Sequence, residues 1–60
     1  MSEYILFWRT LRSNTWCYGG TYKSIEAAKR KAKKELGKTQ YQYRVEKRSG
    51  EIVAIDSVNF

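Results

Sequence analysis

The side chains best suited to chemistry in this sequence are basic ones, and most of them lie in one stretch. Residues 23–38 carry seven basic and two acidic side chains, which is +5 of the net charge of +6. Each phosphate that Lys or Arg neutralises releases counterions, so such a cluster binds DNA or RNA without reading its sequence. The residues predicted to bind nucleic acid here are Lys29, Arg30, Lys31, Lys33, Lys34 and Lys38.

The same basic stretch has two other interpretations. Lys and Arg are good helix formers, so a helix lying on a small sheet can expose them simply as its solvated side. A membrane-surface helix is disfavoured, because it needs large apolar anchors. The apolar stripe here is limited to Ile25, Ala28, Ala32 and Leu36. The sequence therefore leaves phosphate contact and plain solvation open.

Enzymatic chemistry is disfavoured by what the sequence lacks. The chain contains no histidine and one cysteine, so Cys17 has no imidazole partner to activate it. The acidic residues are scattered singly, without the spacing of a metal site. Gly19-Gly20 is too short for a phosphate-binding loop. We therefore expect a non-enzymatic protein without a cofactor or a metal ion.

Aromatic residues provide the second group of candidate binding side chains, at 15% of the chain. A sheet covered by one helix leaves its other face open, and some of these rings must lie there. The rings in question are Tyr4, Trp8, Trp16, Tyr18, Tyr22, Tyr41 and Tyr43. They could stack on unpaired bases, with Arg9, Arg12 and Arg44 adding charge. Alternatively, Arg9 and Arg44 pair with Glu3 or Glu46 across strands.

An exposed aromatic face also supports an alternative function. Such a patch usually marks an interface, so the rings could form a homodimer core or a protein–protein interaction module. The partner would then be an acidic protein surface, because 12 basic residues against 6 acidic ones give a pI near 9.7. A phage-style accessory factor of this kind would bind nucleic acid weakly.

The pattern of apolar residues predicts two hairpins on either side of a helix. Strands are expected over residues 3–11 and 15–22, and again over 40–47 and 52–55, with a tail over 56–60. Ser24 is the expected N-cap of the helix and Gly37 its end, and a pair between Glu26 and Arg30 would support it. Gly19-Gly20 suggests a bulge, and Ser49-Gly50 a hairpin turn.

These elements predict an α+β fold of one small domain, residues 1–60. Its antiparallel sheet of two hairpins (β-β-α-β-β) has one helix packed on one face. Both faces of the first strand are partly apolar, so the sequence does not decide which face of the sheet the helix covers. The longest apolar run, Tyr4–Trp8, is far too short to span a bilayer, and no signal peptide is recognisable. With a single cysteine, this favours a cytoplasmic location away from membranes.

Several short motifs resemble a group of small bacterial and phage domains of unknown function. The matching residues are Trp16-Cys17-Tyr18, Ser24–Ala28, Gly50-Glu51-Ile52 and Asp56-Ser57. The resemblance implies a Trp-containing hairpin, an Ala-rich basic helix and a second hairpin, and it implies no activity. The chain departs from the group at Glu51, where a basic residue is usual, and at Ser57-Val58-Asn59, where Ser-Tyr-Gly is usual.

Overall fold

A computed structural model describes residues 3–59 as a four-stranded antiparallel sheet with one helix on one face. The predicted α+β class and the β-β-α-β-β order are confirmed. The elements are β1 Tyr4–Thr10, β2 Cys17–Tyr22, α1 Ile25–Leu36, β3 Tyr41–Lys47 and β4 Ile52–Val58.

The strands lie in the order β2-β1-β3-β4, so the two hairpins meet through their first strands. β1 and β3 pair along their full lengths, from Tyr4 opposite Lys47 to Thr10 opposite Tyr41. Helix α1 connects β2 to β3 and contacts β1, β2 and β3. The centre of the sheet is therefore covered on one side, while its other side is open.

The helix covers the face that bears Tyr4, Leu6 and Trp8, which answers the question that the apolar pattern of β1 left open. The buried core consists of Leu6, Ala28, Ala32, Tyr41, Tyr43 and Val45. The two alanines are small enough to let α1 approach the sheet closely. Burial, with a smaller contribution from nearby Asp56, raises the pKa of Tyr41 and of Tyr43.

The predicted bulge in β2 is confirmed. Leu6 lies opposite Gly20 and Phe7 opposite Tyr18, so Gly19 is an extra residue with no partner on β1. A Cβ atom at Gly19 would lie 2.9 Å from Leu6 Cδ2 and 3.0 Å from Trp8 Cδ1. Glycine is required here because the core approaches the backbone so closely.

The predicted helix ends are also confirmed. The Ser24 hydroxyl accepts a hydrogen bond from the Ala27 amide at 3.1 Å. At the other end, Gly37 has a positive φ of 53° and its amide donates to the Lys33 carbonyl at 2.9 Å. The ion pair within α1, however, joins Lys31 and Glu35 at 2.6 Å rather than the predicted Glu26 and Arg30.

The last strand is longer than the sequence pattern indicates. β4 continues through the predicted tail, where Ser57 pairs with Gln42 and Val58 with Tyr41. The reason is that β3 offers backbone partners along its whole length and Val58 packs against the core. Asn59 then donates from its amide to the Gly37 and Thr39 carbonyls, at 2.9 and 3.1 Å. Residue 60 of the predicted tail lies outside the described range.

Candidate nucleic-acid interface

The basic side chains of α1 form its outer surface. Of the predicted residues, Arg30, Lys33, Lys34 and Lys38 are exposed, and Lys29 and Lys31 are half-buried. Within residues 3–59, only Lys31 of this set has an ion-pair partner within 4 Å, namely Glu35. Their hydrogen bond raises the pKa of Lys31 and lowers that of Glu35. Five of the six cations therefore remain uncompensated.

The cations are arranged by the helical repeat. Lys29 and Lys33 are four residues apart, as are Arg30 and Lys34, so each pair lies on one row along the axis. Arg30 and Lys34 also border a shallow depression of about 250 Å³ beside the Tyr22 ring. We call this outer side of α1, with Lys38 beyond its end, the helix surface. It combines concentrated positive charge with free access from solvent.

The other face of the sheet is not covered by the helix. Strand register places residues from all four strands on it, and we call it the open sheet face. Its members are Ile5, Phe7, Arg9, Tyr18, Thr21, Gln42, Arg44, Glu46, Ile52, Ile55 and Ser57. Trp16, just before β2, joins them, because its ring contacts both arginines of this face.

Arg44 occupies the centre of the open sheet face. Its guanidinium carbon lies 4.5 Å from the centre of the Trp16 ring and 4.8 Å from that of Phe7. Its Nε donates to Glu46 Oε2 at 2.5 Å. The two side chains are only 25% and 17% exposed. The predicted pair with Glu46 is thus present, although it joins residues two apart on β3 rather than residues on different strands.

Arg9 lies beside Arg44 and is also held in place. Its Nε donates to Gln42 Oε1 at 2.9 Å across the strand pair, and its Nη1 donates to the Ser13 carbonyl at 3.3 Å. Its guanidinium carbon lies 5.4 Å from the centre of the Trp16 ring. Glu3, one of the acids suggested as a partner of Arg9 or Arg44, lies 3.6 Å from Arg48 instead.

The structure therefore separates the predicted binding residues into two groups. Six lie on or beyond α1, whereas Arg9 and Arg44 lie on the opposite side of the sheet. Arg12 belongs to neither group, because it is exposed in the turn after β1, beside Leu11 and Gln40. A single flat ligand cannot contact the helix surface and the open sheet face at once.

The aromatic residues divide between the faces in the same way. Tyr4, Trp8, Tyr22, Tyr41 and Tyr43 pack in or against the core under α1. Trp16 and Tyr18 are the predicted rings that lie on the open sheet face. Phe7 is there too, with its ring centre 6.2 Å from that of Tyr18 in an edge-on arrangement.

Four apolar residues of the open sheet face were not among the predicted candidates: Ile5, Phe7, Ile52 and Ile55. Tyr18, Ile52 and Ile55 are 66%, 52% and 56% exposed, which is high for large apolar side chains. The available signal was the alternation of β1, which places Phe7 on the same face as Arg9. For β4 the pattern gave no such signal, because the bulge at Val53 puts both isoleucines on one face.

The described residues offer little for other kinds of chemistry. Within residues 3–59, no three His, Cys, Asp or Glu side chains come together as a metal site would require. Residues 3–59 form a single helix, α1, which is too short and too polar to cross a membrane. The chain matches no protein-family model, no curated protein and no solved structure.

Proposed function

We propose that this protein is a small, non-enzymatic nucleic-acid-binding domain that contacts phosphate groups mainly through the helix surface. The observation that supports the proposal is the set of five cations without an ion-pair partner in the described range. Exposed side chains of this kind are usually balanced by neighbouring acids on a folded protein's surface, and here Glu26 and Glu35 are the only acids on α1.

The dimensions of α1 suit this role. Its 12 residues extend about 18 Å at the usual rise per residue. One strand of a duplex places a phosphate about every 3.4 Å along the axis, so the length of the helix corresponds to about five phosphates of axial rise. Long, exposed Lys and Arg side chains can adjust to phosphates at these positions without a fixed geometry. Affinity through such contacts is independent of sequence and sensitive to salt.

A matched pair of double variants tests the proposal. Arg30→Gln/Lys34→Gln removes two charges from the helix surface. Lys47→Gln/Arg48→Gln changes the net charge by the same amount at the end of β3 and the turn after it, where the two cations are paired with Glu51 and Glu3. Anisotropy titrations use duplex DNA, single-stranded DNA and RNA over a range of salt concentrations. We expect the first variant to reduce the slope of log affinity against log salt for duplex DNA by about 2, and the control to change it little.

Two results would overturn phosphate-directed binding, whichever surface carries it. One is the absence of binding to all three nucleic acids at low salt. The other is an affinity that salt does not change, because phosphate contacts release counterions and must weaken as salt rises. Equal effects of the two double variants would show that net charge, and not the helix surface, determines binding.

A protein–protein interaction module is the second candidate function, and a specific observation favours it. Tyr18, Ile52 and Ile55 on the open sheet face are more than half exposed. An acidic partner or a second copy of the chain would cover them. This candidate predicts weak nucleic-acid binding, a dimer mass in light scattering, or a stable complex in a pull-down from cell extract.

The setting of the protein is part of the same proposal. The resemblance of its motifs to small bacterial and phage domains suggests a bacterial or phage protein. The single cysteine favours the reducing cytoplasm, where free thiols persist.

A further inference from the structure

We infer that the open sheet face is a second binding site, for unpaired nucleobases and their phosphates, so that the protein prefers single-stranded to double-stranded nucleic acid. The inference rests on the proposed function, since it names the form of nucleic acid that is bound. It concerns a different surface, however, and the two ideas can fail separately.

Two rings of the open sheet face present surface to solvent. Tyr18 is mostly exposed and Trp16 is half-buried. Both lie at the end of the sheet face where the turn joins β1 to β2. The Tyr18 hydroxyl is hydrogen bonded to Thr21 Oγ1 at 2.8 Å, which fixes the direction of the ring. A ring that is both exposed and fixed can stack on a base with little loss of side-chain freedom. Bases in a duplex are already stacked on each other and are not available for this contact.

The two arginines of the open sheet face keep unused hydrogen-bond donors. Arg44 is held by two rings and by Glu46, which uses only its Nε, so within residues 3–59 its two Nη groups have no hydrogen-bond partner. Arg9 likewise has one terminal nitrogen, Nη2, without a partner in the same range. A guanidinium that is already oriented suits a phosphate or the edge of a base, because it can donate two parallel hydrogen bonds.

The charge of the open sheet face favours nucleic acid over a second copy of the chain. The open sheet face carries Arg9 and Arg44 against Glu46, and the whole chain has a net charge of +6. A second copy would bring four arginines and two glutamates together at the centre of a dimer. Removing those groups from water is costly unless every charge is paired. An anionic ligand with flat, apolar bases matches both the charge and the rings.

The rings and the arginines of this site have different roles. Trp16 and Tyr18 supply surfaces for bases, while the free edges of Arg44 and Arg9 supply donors for the phosphates or base edges beside them. Phe7 also contacts the Arg44 guanidinium, at 4.8 Å from its ring centre. Ile52 and Ile55 extend the apolar surface toward β4, where a further base can lie.

The test compares a single strand of about 12 thymidine nucleotides with a duplex of the same length, at equal salt. Trp16→Leu and Tyr18→Ser remove one ring each without changing the charge. Leu11→Ser is the matched control, because Leu11 is a large exposed apolar residue in the turn, outside the sheet face. Circular dichroism and thermal melting confirm that each variant is folded. If Trp16→Leu is not folded, Tyr18→Ser alone provides the test.

The expected result is tighter binding of the single strand than of the duplex by the natural sequence. Each ring variant should weaken binding to the single strand about tenfold, as loss of one stacked base does, and leave the salt slope unchanged. Duplex binding and the Leu11→Ser variant should be unaffected. Tryptophan fluorescence should be quenched by the single strand in the natural sequence, and this quenching should be smaller in Trp16→Leu.

Three results would overturn the inference. Equal binding of single strand and duplex, unaffected by either ring variant, removes this inference and leaves the proposed function standing. No binding of either at low salt removes both. A dimer in light scattering that the ring variants dissociate, without a change in single-strand affinity, assigns the open sheet face to self-association.

Discussion

The helix surface and the open sheet face carry positive charge in opposite ways. On the helix surface, five cations have no ion-pair partner in the described range, and four of the five are exposed. On the open sheet face, Arg9 and Arg44 are each fixed by a hydrogen bond and by contact with Trp16. The helix surface thus presents charges that no ion pair holds in position apart from Lys31, whereas the open sheet face presents charges at fixed positions.

The difference matters for what each surface can recognise. Free lysines act through the electrostatic field, which attracts any polyanion and weakens as salt rises. Fixed guanidinium groups beside aromatic rings act through the positions of donors and rings, which distinguish one ligand shape from another. Because the sheet separates the two surfaces, attraction and selection can be altered independently by substitution.

The largest expected effect is the loss of stability at alkaline pH, because it acts on the core that lies between the two surfaces. Burial raises the pKa of Tyr41 and Tyr43 above the ordinary value of 10.0. Between that value and the higher folded one, the unfolded chain has lost protons that the folded chain keeps. The free energy of unfolding is therefore full below pH 10 and falls as pH rises above it. Urea denaturation from about pH 8 to pH 11, with tyrosinate absorbance, measures this.

The control for the alkaline effect is the Tyr41→Phe/Tyr43→Phe variant, which retains the rings and removes the ionising groups. Its stability should vary much less over the same range. An equal decline in both proteins would show that Tyr41 and Tyr43 are not the cause of the effect.

A smaller loss of stability is expected from a substitution at Gly19, the bulge where β2 shifts its register against β1. Gly19→Ala should lower the free energy of unfolding by about 2 kcal/mol, because the new methyl group meets buried Leu6 at 2.9 Å. Urea denaturation measures the loss. Gly50→Ala is a useful comparison, since its added methyl group meets nothing within 4 Å but its φ of 97° strains the backbone. A larger loss at Gly50 would show that backbone strain, and not core packing, dominates.

The fixed character of Arg44 can be tested directly. Arg44→Gln leaves Glu46, only 17% exposed, without its partner, and should lower stability by about 1–3 kcal/mol. Arg44→Lys keeps the charge but loses the guanidinium contacts with the Trp16 and Phe7 rings, which are worth about 1 kcal/mol. We therefore expect Lys to recover part of the loss, as measured by thermal and urea denaturation. Full recovery by Lys would mean that the rings contribute nothing and that charge alone holds the site.

Much of the fold could be predicted because local residue chemistry determines it. Ser24, Gly37 and Gly19-Gly20 mark a cap, a helix end and a bulge by their own conformational preferences, and each lies where predicted. The covered face could not be predicted from β1, because Tyr4, Leu6 and Trp8 alternate with Ile5 and Phe7. Pairing with β3 decides it, since Tyr41, Tyr43 and Val45 place their side chains under α1.

The candidate sites were predictable to different degrees for the same reason. The helix surface follows from composition and helical repeat alone, so its residues were all identified. The open sheet face depends on which residues of four strands lie side by side, and on the longer β4, which the sequence pattern ends at Ile55. Ile52 and Ile55 could not be placed from the sequence, because the bulge in β4 and the register of the whole sheet put them on this face.

The smallest expected effect concerns Lys31, the helix cation that is already paired. Lys31 and Glu35 are 41% and 61% exposed, so solvent screens their attraction and Lys31→Gln should leave stability almost unchanged. What should change is the pKa of Glu35, which Lys31 holds below its ordinary value of 4.5 and which should rise toward it. Titration followed by NMR measures that rise. In the same variant the salt slope for duplex DNA should fall by less than in Lys34→Gln, for which about 0.9 is expected, because Glu35 already compensates Lys31. Equal slopes in the two variants would mean that the ion pair opens when nucleic acid binds, and that Lys31 belongs with the five free cations.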